Sequence, residues 1–369
     1  MKHYIQLLAR MNWVLFGAMA LMATLSILFI YSASYRGPGV PMPDFYKMQM
    51  VWFGVGLVLY LVLALVDYRV ICQWATIWYV LAVGSLVLVL VVGAKVYGAR
   101  RWLGVGSLGI QPVEIAKLAI IVAVAYYLFH RPAEMRQRWS TVWTVLLMVG
   151  MPQALIFVQP DLGSVMILLA VTFAMLFVAG VRVKHLALVA LLGMCVAPFG
   201  WVHLKDYQKD RLTVFLNPEK DPLGAGWNLN QSLIAVGSGG VTGKGYLQGT
   251  QNLLGYLPRT VAPNDFLFSV IAEEEGFVGS ICVLGLYAVI LFCGLHVAAH
   301  ARDRLGMLLA TGIVALLFFH VFINIGMTIG LMPVKGLPLP LLSYGGSFVM
   351  ATMSALGLLQ NVWIHRRIY

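Results

Sequence analysis

The stretch NDFLFSVIAEEEG, residues 264–276, decides how the fold is read. It opens with Asn264 and Asp265, passes through seven mostly apolar residues, and ends on Glu273, Glu274, Glu275 and Gly276. An apolar span of about 20 residues follows, enough to cross a bilayer core. A helix from Asp265 to residue 295 would be about 45 Å long at 1.5 Å per residue. That exceeds the roughly 30 Å of hydrocarbon, so its first turns stand at or above the head-group level. On such a helix Asp265, Ser269, Ala272, Glu273 and Gly276 share one face. That small and polar stripe suits the wall of a watered cavity. Plainer readings stand beside it. Asn264 or Asp265, following Pro263, can serve as a helix cap. The three glutamates can mark an interfacial break before a shorter span starting at Gly276.

Composition supports a bilayer as the frame. The chain has 369 residues, 61% hydrophobic and 11% charged, with mean hydropathy +0.87. Soluble domains carry about a quarter charged residues. The formal net charge of +11 falls on few side chains and therefore on loops. It suits anionic head groups or phosphate-bearing ligands. Nucleic acid is excluded by the lack of a basic helix or an aromatic-basic platform. Cys72, Cys195, Cys282 and Cys293 fall in or beside apolar runs, without a CxxC pair or a histidine set. They read as small hydrophobes.

About ten spans meet the length criterion: 12–33, 48–66, 74–93, 113–129, 141–158, 162–180, 185–203, 266–295, 306–332 and 346–364. The first resembles a signal peptide but is too long for one, and reads as an uncleaved helix. An even count puts both termini on one side. With the N-terminus inside, inner segments carry twelve Lys and Arg and short outer loops six, so both termini are expected in the cytoplasm. The expected fold is an all-α polytopic membrane protein, one domain over 1–369. Its one large extracytoplasmic loop, 204–265, is rich in glycine and turn residues. The segment NLNQSLIAVG within it favours a folded cap with a short amphipathic helix.

Three further clusters could carry chemistry. In GARRWLGVGSLGIQPVEIAKLA (98–119), Arg100 and Arg101 lie outside against the charge trend, and Glu114 and Lys117 sit three apart on a first helical turn. They are either a neutralising ion pair or an anion site in which Glu114 orients Lys117. In QPDLGS (159–164), Asp161 is a turn residue or cap at the outer level of Asp265. In VKGLPLPLLSYGGS (334–347), Pro338 and Pro340 impose extended backbone, and Ser343 and Tyr344 could line the same cavity. His320, Asn324 and Thr328 form a polar stripe at i, i+4, i+8, read as interhelical hydrogen bonding. No metal motif, P-loop, GxSxG or dinucleotide fingerprint is present.

The ordered set GARRWL, QPVEIAK, QPDLGS, NPEKDPLGAGWNLNQSLIAVGSGG, GKGYLQGTQ, NDFLFSVIAEEEG and GLPLPLLSYGGS resembles the SEDS family over nearly the whole chain. YLQGTQ and the short N-terminal tail are similar to its elongation branch rather than its division branch. The resemblance implies ten transmembrane helices and polymerisation of lipid II, a disaccharide-peptide on a polyprenyl diphosphate, into glycan on the outer face of the bacterial cytoplasmic membrane. It implies that Asp265 is the family's essential aspartate. The sequence departs there: it reads LPRTVAPNDF where the family has LPE, one residue, then HTDF, with Asn264 in place of Thr. Cavity residues carry over to Glu114, Lys117, Asp161 and Arg101, with Ser343 beside them. Asp265 would be a general base for the acceptor 4-hydroxyl. Lys117, Arg101 or a divalent cation (Mg2+ or Mn2+, ligands unassigned) would receive the leaving diphosphate. The implied partners are a class B penicillin-binding protein acting as transpeptidase, other elongation-complex membrane proteins, nascent glycan and membrane lipid. The competing functions are a lipid II flippase, which would place ionisable residues near the midplane and show repeats, and a non-catalytic scaffold.

Overall fold

The structure, a computed structural model, describes residues 2–96, 99–104, 109–203, 209, 213–215, 225–258 and 261–367. The remaining residues of the loop expected over 204–265 lie outside the described residues. After a short α1 (Lys2–Ala9) come α2 (Trp13–Ser34), α3 (Phe45–Leu65), α4 (Tyr68–Gln73) and α5 (Ala75–Val92). Next are α6 (Pro112–His130), α7 (Ala133–Arg136), α8 (Trp139–Val158), α9 (Leu162–Val178) and α10 (Val183–His203). The cap contributes α11 (Ala225–Ser238) and α12 (Thr250–Leu253), and the chain ends with α13 (Leu267–Ala299), α14 (Arg304–Thr328) and α15 (Gly346–Ile364). Among the described residues, eight of these helices are long and apolar enough to cross a membrane, and Leu162–Val178 and Val183–Cys195 are shorter apolar pieces. Each of the ten expected spans coincides with a helix. The departure from an all-α chain is a small antiparallel hairpin, β1 (Ala94–Val96) with β2 (Ala99–Trp102).

Burial sorts the helices into an inner and an outer set. The apolar windows of α6, α14 and α15 are 72%, 67% and 78% buried, whereas those of α2, α3, α5, α8 and α13 are 22–39% buried. The outer helices present Val80, Leu81, Val91 and Val92 of α5 and Phe277 and Phe292 of α13 outward, as lipid-facing surfaces do. Cross-bonds knit the loops at the two ends of the bundle. At one end Asp303 accepts from Arg69 Nη2 at 2.7 Å and from the Tyr68 hydroxyl at 2.9 Å. At the other, Arg36 donates to Leu257 O at 3.0 Å, and Tyr344 N donates to Pro263 O at 2.9 Å.

The structure corrects the long helix expected from Asp265. The helix begins at Leu267, with Phe266 in the capping position, and it breaks at Gly276, where φ is +65° and ψ −157°. The interfacial break is what the glutamates mark. The part below the break, residues 277–299, is about 35 Å long at 1.5 Å per residue, close to a hydrocarbon thickness. A break inside a membrane-level helix exposes carbonyls and amides that must find partners. The glycine-rich segment of the cap supplies them. Lys244 N and Gly245 N donate to Glu273 O (3.0 Å) and Glu274 O (2.8 Å), and Phe277 N and Val278 N donate to Gly240 O (2.9 Å) and Val241 O (3.1 Å). Only glycine fits this close approach. A Cβ on Gly243 would lie 2.0 Å from Glu274 O, and one on Gly276 would lie 2.3 Å from Gly243 N.

The glutamate side chains finish the joint. Glu273 is fully buried, and its Oε1 accepts from Lys244 Nζ (2.6 Å), Thr250 Oγ1 (3.1 Å) and Gln251 N (3.0 Å). Glu274 Oε1 accepts from Ser32 Oγ at the end of α2 at 2.5 Å. Asn252 Nδ2 donates to Ser32 O at 2.6 Å, so the cap is also tied to α2. A buried carboxylate is tolerable only with such donors. In α11, Ser232 Oγ lies 2.7 Å from both Ser269 Oγ and Thr328 O. This helix is packed onto α13 and α14 through buried Leu229, Ser232 and Ala235, with Leu233 and Ile234 exposed.

Gly243→Ala and Gly255→Ala separate the two demands on a glycine. Both sites have positive φ, but nothing lies within 4 Å of a Cβ at Gly255. Gly255→Ala should destabilise by the left-handed backbone penalty of about 1–2 kcal/mol. Gly243→Ala should add separation of the cap from the break, with a clearly larger loss of thermal stability by size-exclusion in detergent.

Candidate active site

Asp265 sits in a tight turn rather than on a helix. The amides of Asn264 and Asp265 donate to Val261 O at 3.1 and 2.9 Å. The turn is held by Asn324 of α14, whose Nδ2 donates to both Asp265 O (3.0 Å) and Leu337 O (2.7 Å). One amide thus joins the Asp265 turn to the 334–345 loop. The Asp265 side chain is half-buried and lies beside Gly336, where a Cβ would be 3.5 Å from Oδ2. Glycine there leaves the carboxylate uncovered on that side. Lys335 is the adjoining residue and is half-buried. It is one of the six Lys and Arg that the sequence puts in the short outer loops.

Glu114 and Lys117 form the ion pair anticipated for the first turn of α6. Lys117 Nζ lies 2.9 Å from Glu114 Oε2 and 3.0 Å from Oε1, with both side chains almost fully buried. A third member, His320 Nε2 of α14, lies 2.9 Å from Lys117 Nζ. The ammonium is a donor only, so this nitrogen is the acceptor. The stripe on α14 therefore does more than join helices. His320 grips Lys117, and Asn324, one turn along, grips the Asp265 turn. One helical turn is about 5.4 Å of rise, so the two clusters are stacked along α14. Only about 10 Å³ of void lies against Glu114 and His320, room for one water at most. As folded, the ammonium faces protein groups and not a space for diphosphate. Desolvating a lone lysine is too costly without such partners.

Asp161 is the cap of α9. Its Oδ1 accepts from Ser164 N at 3.1 Å and its Oδ2 from Ser164 Oγ at 2.9 Å. It is buried and within Coulombic reach of Glu114. Arg101, on β2, donates through Nε to Gln159 O at 2.7 Å and through Nη2 to Pro160 O, which docks the hairpin on the Asp161 turn. Ser343 is fully buried. Its hydroxyl accepts from Leu339 N at 2.9 Å, and its carbonyl accepts from Gln49 Nε2 at 3.1 Å, so it staples the proline loop.

The structure thus gathers Asp265, Gly336 and Lys335 at one level and Lys117, Glu114 and His320 one turn away. Asp161 and Arg101 share a neighbouring turn. His320 could have been suspected from its i, i−4 relation to Asn324. Its link to Lys117 spans 203 residues and left no local signal. For a divalent cation, both Asp161 oxygens and both Glu114 oxygens are already engaged. Among the described residues no group of three or more His, Cys, Asp or Glu could hold a metal. A protein-built metal centre does not fit this donor set.

Comparison with known proteins follows the same lines. Residues 12–368 match the FtsW/RodA/SpoVE family model, described as a cell cycle protein. The chain is 38% identical over 343 residues to the peptidoglycan glycosyltransferase MrdB of Escherichia coli K12, covering 93% of this chain and 90% of that one. Among solved structures it resembles a chain from work on a peptidoglycan synthase complex that coordinates polymerization and crosslinking, with TM-score 0.82, 33% identity, and coverage of 97% and 99%. It also resembles the Thermus thermophilus rod shape determining protein RodA, with TM-score 0.70, 32% identity, and coverage of 97% and 98%. A family match over residues 12–368, with 38% identity to a relative over 93% of the chain, makes this chain a member of the FtsW/RodA/SpoVE family.

Proposed function

We propose that the chain is a peptidoglycan glycosyltransferase of cell elongation, which joins lipid II units into glycan with Asp265 as general base. One observation carries the assignment of the base. Asp265 is the acid whose turn is braced on two elements by Asn324 while its side chain stays half-open beside Gly336. Asp161, Glu114, Glu273 and Glu274 are all buried and bonded to protein donors.

In the reaction the acceptor's 4-hydroxyl oxygen bonds to the anomeric carbon of the donor MurNAc. The bond from that carbon to the diphosphate oxygen breaks, and the configuration inverts. The hydroxyl proton passes to Asp265, and the bonding pair leaves with the polyprenyl diphosphate. Lys335 and Arg101 are the half-exposed cations suited to meet that leaving group. Buried Lys117 acts at a remove, as a fixed positive charge held by Glu114 and His320. A Mg2+ or Mn2+ ion enters only as a counter-ion of the substrate's diphosphate, which is how Mg2+ commonly binds.

The charge bias of the short loops supports an orientation with the Asp265 end outside the cytoplasmic membrane. The likeness to a chain from a polymerising and crosslinking complex supports a class B penicillin-binding protein as transpeptidase partner, within a larger set of elongation proteins.

Purified protein fed lipid II should make glycan chains, and Asp265→Ala should slow this by about 10²–10⁴-fold with unchanged elution and helicity. Glycan made at the wild-type rate by that variant would remove the assignment. Lipid II crossing vesicles without polymer, in both proteins, would indicate a flippase instead.

Lys117→Met should strand the Glu114 charge and destabilise by about 3–5 kcal/mol. Adding Glu114→Gln should restore most of the thermal stability but not polymerisation, if the buried cation serves the reaction. Recovery of both together would reduce the pair to a packing role.

A further inference from the structure

A cavity lies at the end of the bundle opposite Asp265, far from the chemistry described above. It has a volume of about 480 Å³, within the range of small-molecule sites, and lies between α5, α6 and α8. Thr76 and Tyr79 line it from α5, Tyr126, Tyr127 and His130 from α6, and Arg131 at its edge. Tyr79 Oη donates to Met148 O at 2.8 Å, which closes one wall against α8.

Two polar groups on the residues that line this cavity have few partners, the half-exposed guanidinium of Arg131 and the closed-off hydroxyl of Tyr127. Among the described residues Arg131 has no carboxylate within 4 Å; its guanidinium lies 4.8 Å from the Tyr127 ring centroid, and its other contact is with Met135 Sδ at 3.8 Å. Glu134, three residues on, is exposed and forms no ion pair with it. The Tyr127 hydroxyl is buried and has no hydrogen-bond partner. A third group is prepared rather than unsatisfied. His130 Nδ1 is 2.9 Å from Tyr126 O, so this nitrogen donates and the ring's Nε2 is left for other contacts.

The level of the cavity identifies the ligand class. Trp74, Trp78 and Trp143 are exposed at the starts of α5 and α8, where indoles mark the head-group boundary. Arg131 follows the last residue of α6 at the same level. The lining then runs inward past Tyr79 and Ala123 to Met148, at hydrocarbon depth. A ligand that fills it has an anionic head and an apolar body. Inorganic phosphate would satisfy the rim and leave the inner part empty. The surrounding charges favour an anion, since Arg136, Arg138, Arg182, Lys184, Arg302 and Arg304 belong to this end.

We propose that this cavity binds the head group and upper chain of one anionic phospholipid, its phosphodiester on Arg131. The site is separate from the glycan-forming cluster and does not depend on the function assigned to it.

Native mass spectrometry of the intact protein in detergent tests this by titration with dioleoylphosphatidylglycerol, dioleoylphosphatidylcholine, undecaprenyl phosphate and inorganic phosphate. Phosphatidylglycerol should bind as one tight adduct, and Arg131→Gln should weaken it about fivefold, the worth of one interfacial cation. Arg138→Gln, an exposed cation outside the lining, should not. Thr76→Trp adds bulk at an exposed lining position and should weaken the same adduct while leaving the Arg131 charge in place, so it decides the matter if Arg131→Gln misfolds. Equal binding of phosphatidylcholine would overturn the proposal. So would tighter binding of undecaprenyl phosphate or free phosphate, or phosphatidylglycerol binding indifferent to both variants.

Discussion

The broken backbone at Gly276 is the constraint on which the outer half of the molecule depends. A helix that stops at membrane level strands carbonyls and amides in a medium without water, and each must be answered by protein. Segment 240–245 answers four of them, and the Glu273 and Glu274 side chains hold the cap that carries it. The two acids bond to the cap and to α2 respectively. They position the helical segment Leu267–Glu275, and with it the Asp265 turn at its head. The answer to why a membrane protein puts three acids inside an apolar run is that two of them are sockets for a loop.

From that anchored head the site is organised by α14. His320 and Asn324 lie on one face, one turn apart, and each collects a different part of the chain. The lower cluster is closed and neutral overall, with the Lys117 charge fully partnered and almost no free space. The upper one is half-open, with glycine at its side. This division suits a polymerase. A buried ion pair is expensive to disturb and so provides a field that does not change when large substrates enter and leave. A general base must instead be reachable, and the Asp265 side chain is half-exposed.

Much of the membrane architecture was legible because hydropathy is a local property. The ten spans, the glutamate break as one of the competing readings, the cap helix around NLNQSLIAVG and the Glu114–Lys117 pair were all readable within a few turns of sequence. Asp161 as a helix cap was also readable, since Ser164 sits three residues later. The long helix from Asp265 was the misreading. The apolar run continues past Gly276 at spanning length, and nothing local shows that another segment stands ready to fill the gap.

The sequence by itself determined that the chain is a polytopic helical membrane protein and where its apolar helices and short polar stretches fall. Hydrophobic length and the charge of short loops suffice for that. Only the tertiary structure decided what those polar stretches do. Ser32 meets Glu274 across 242 residues and Lys117 meets His320 across 203. Such hydrogen bonds have angular and distance requirements that only packed helices satisfy. The same packing left Asp265 half-open while it closed over Glu114, Asp161, Glu273 and Glu274.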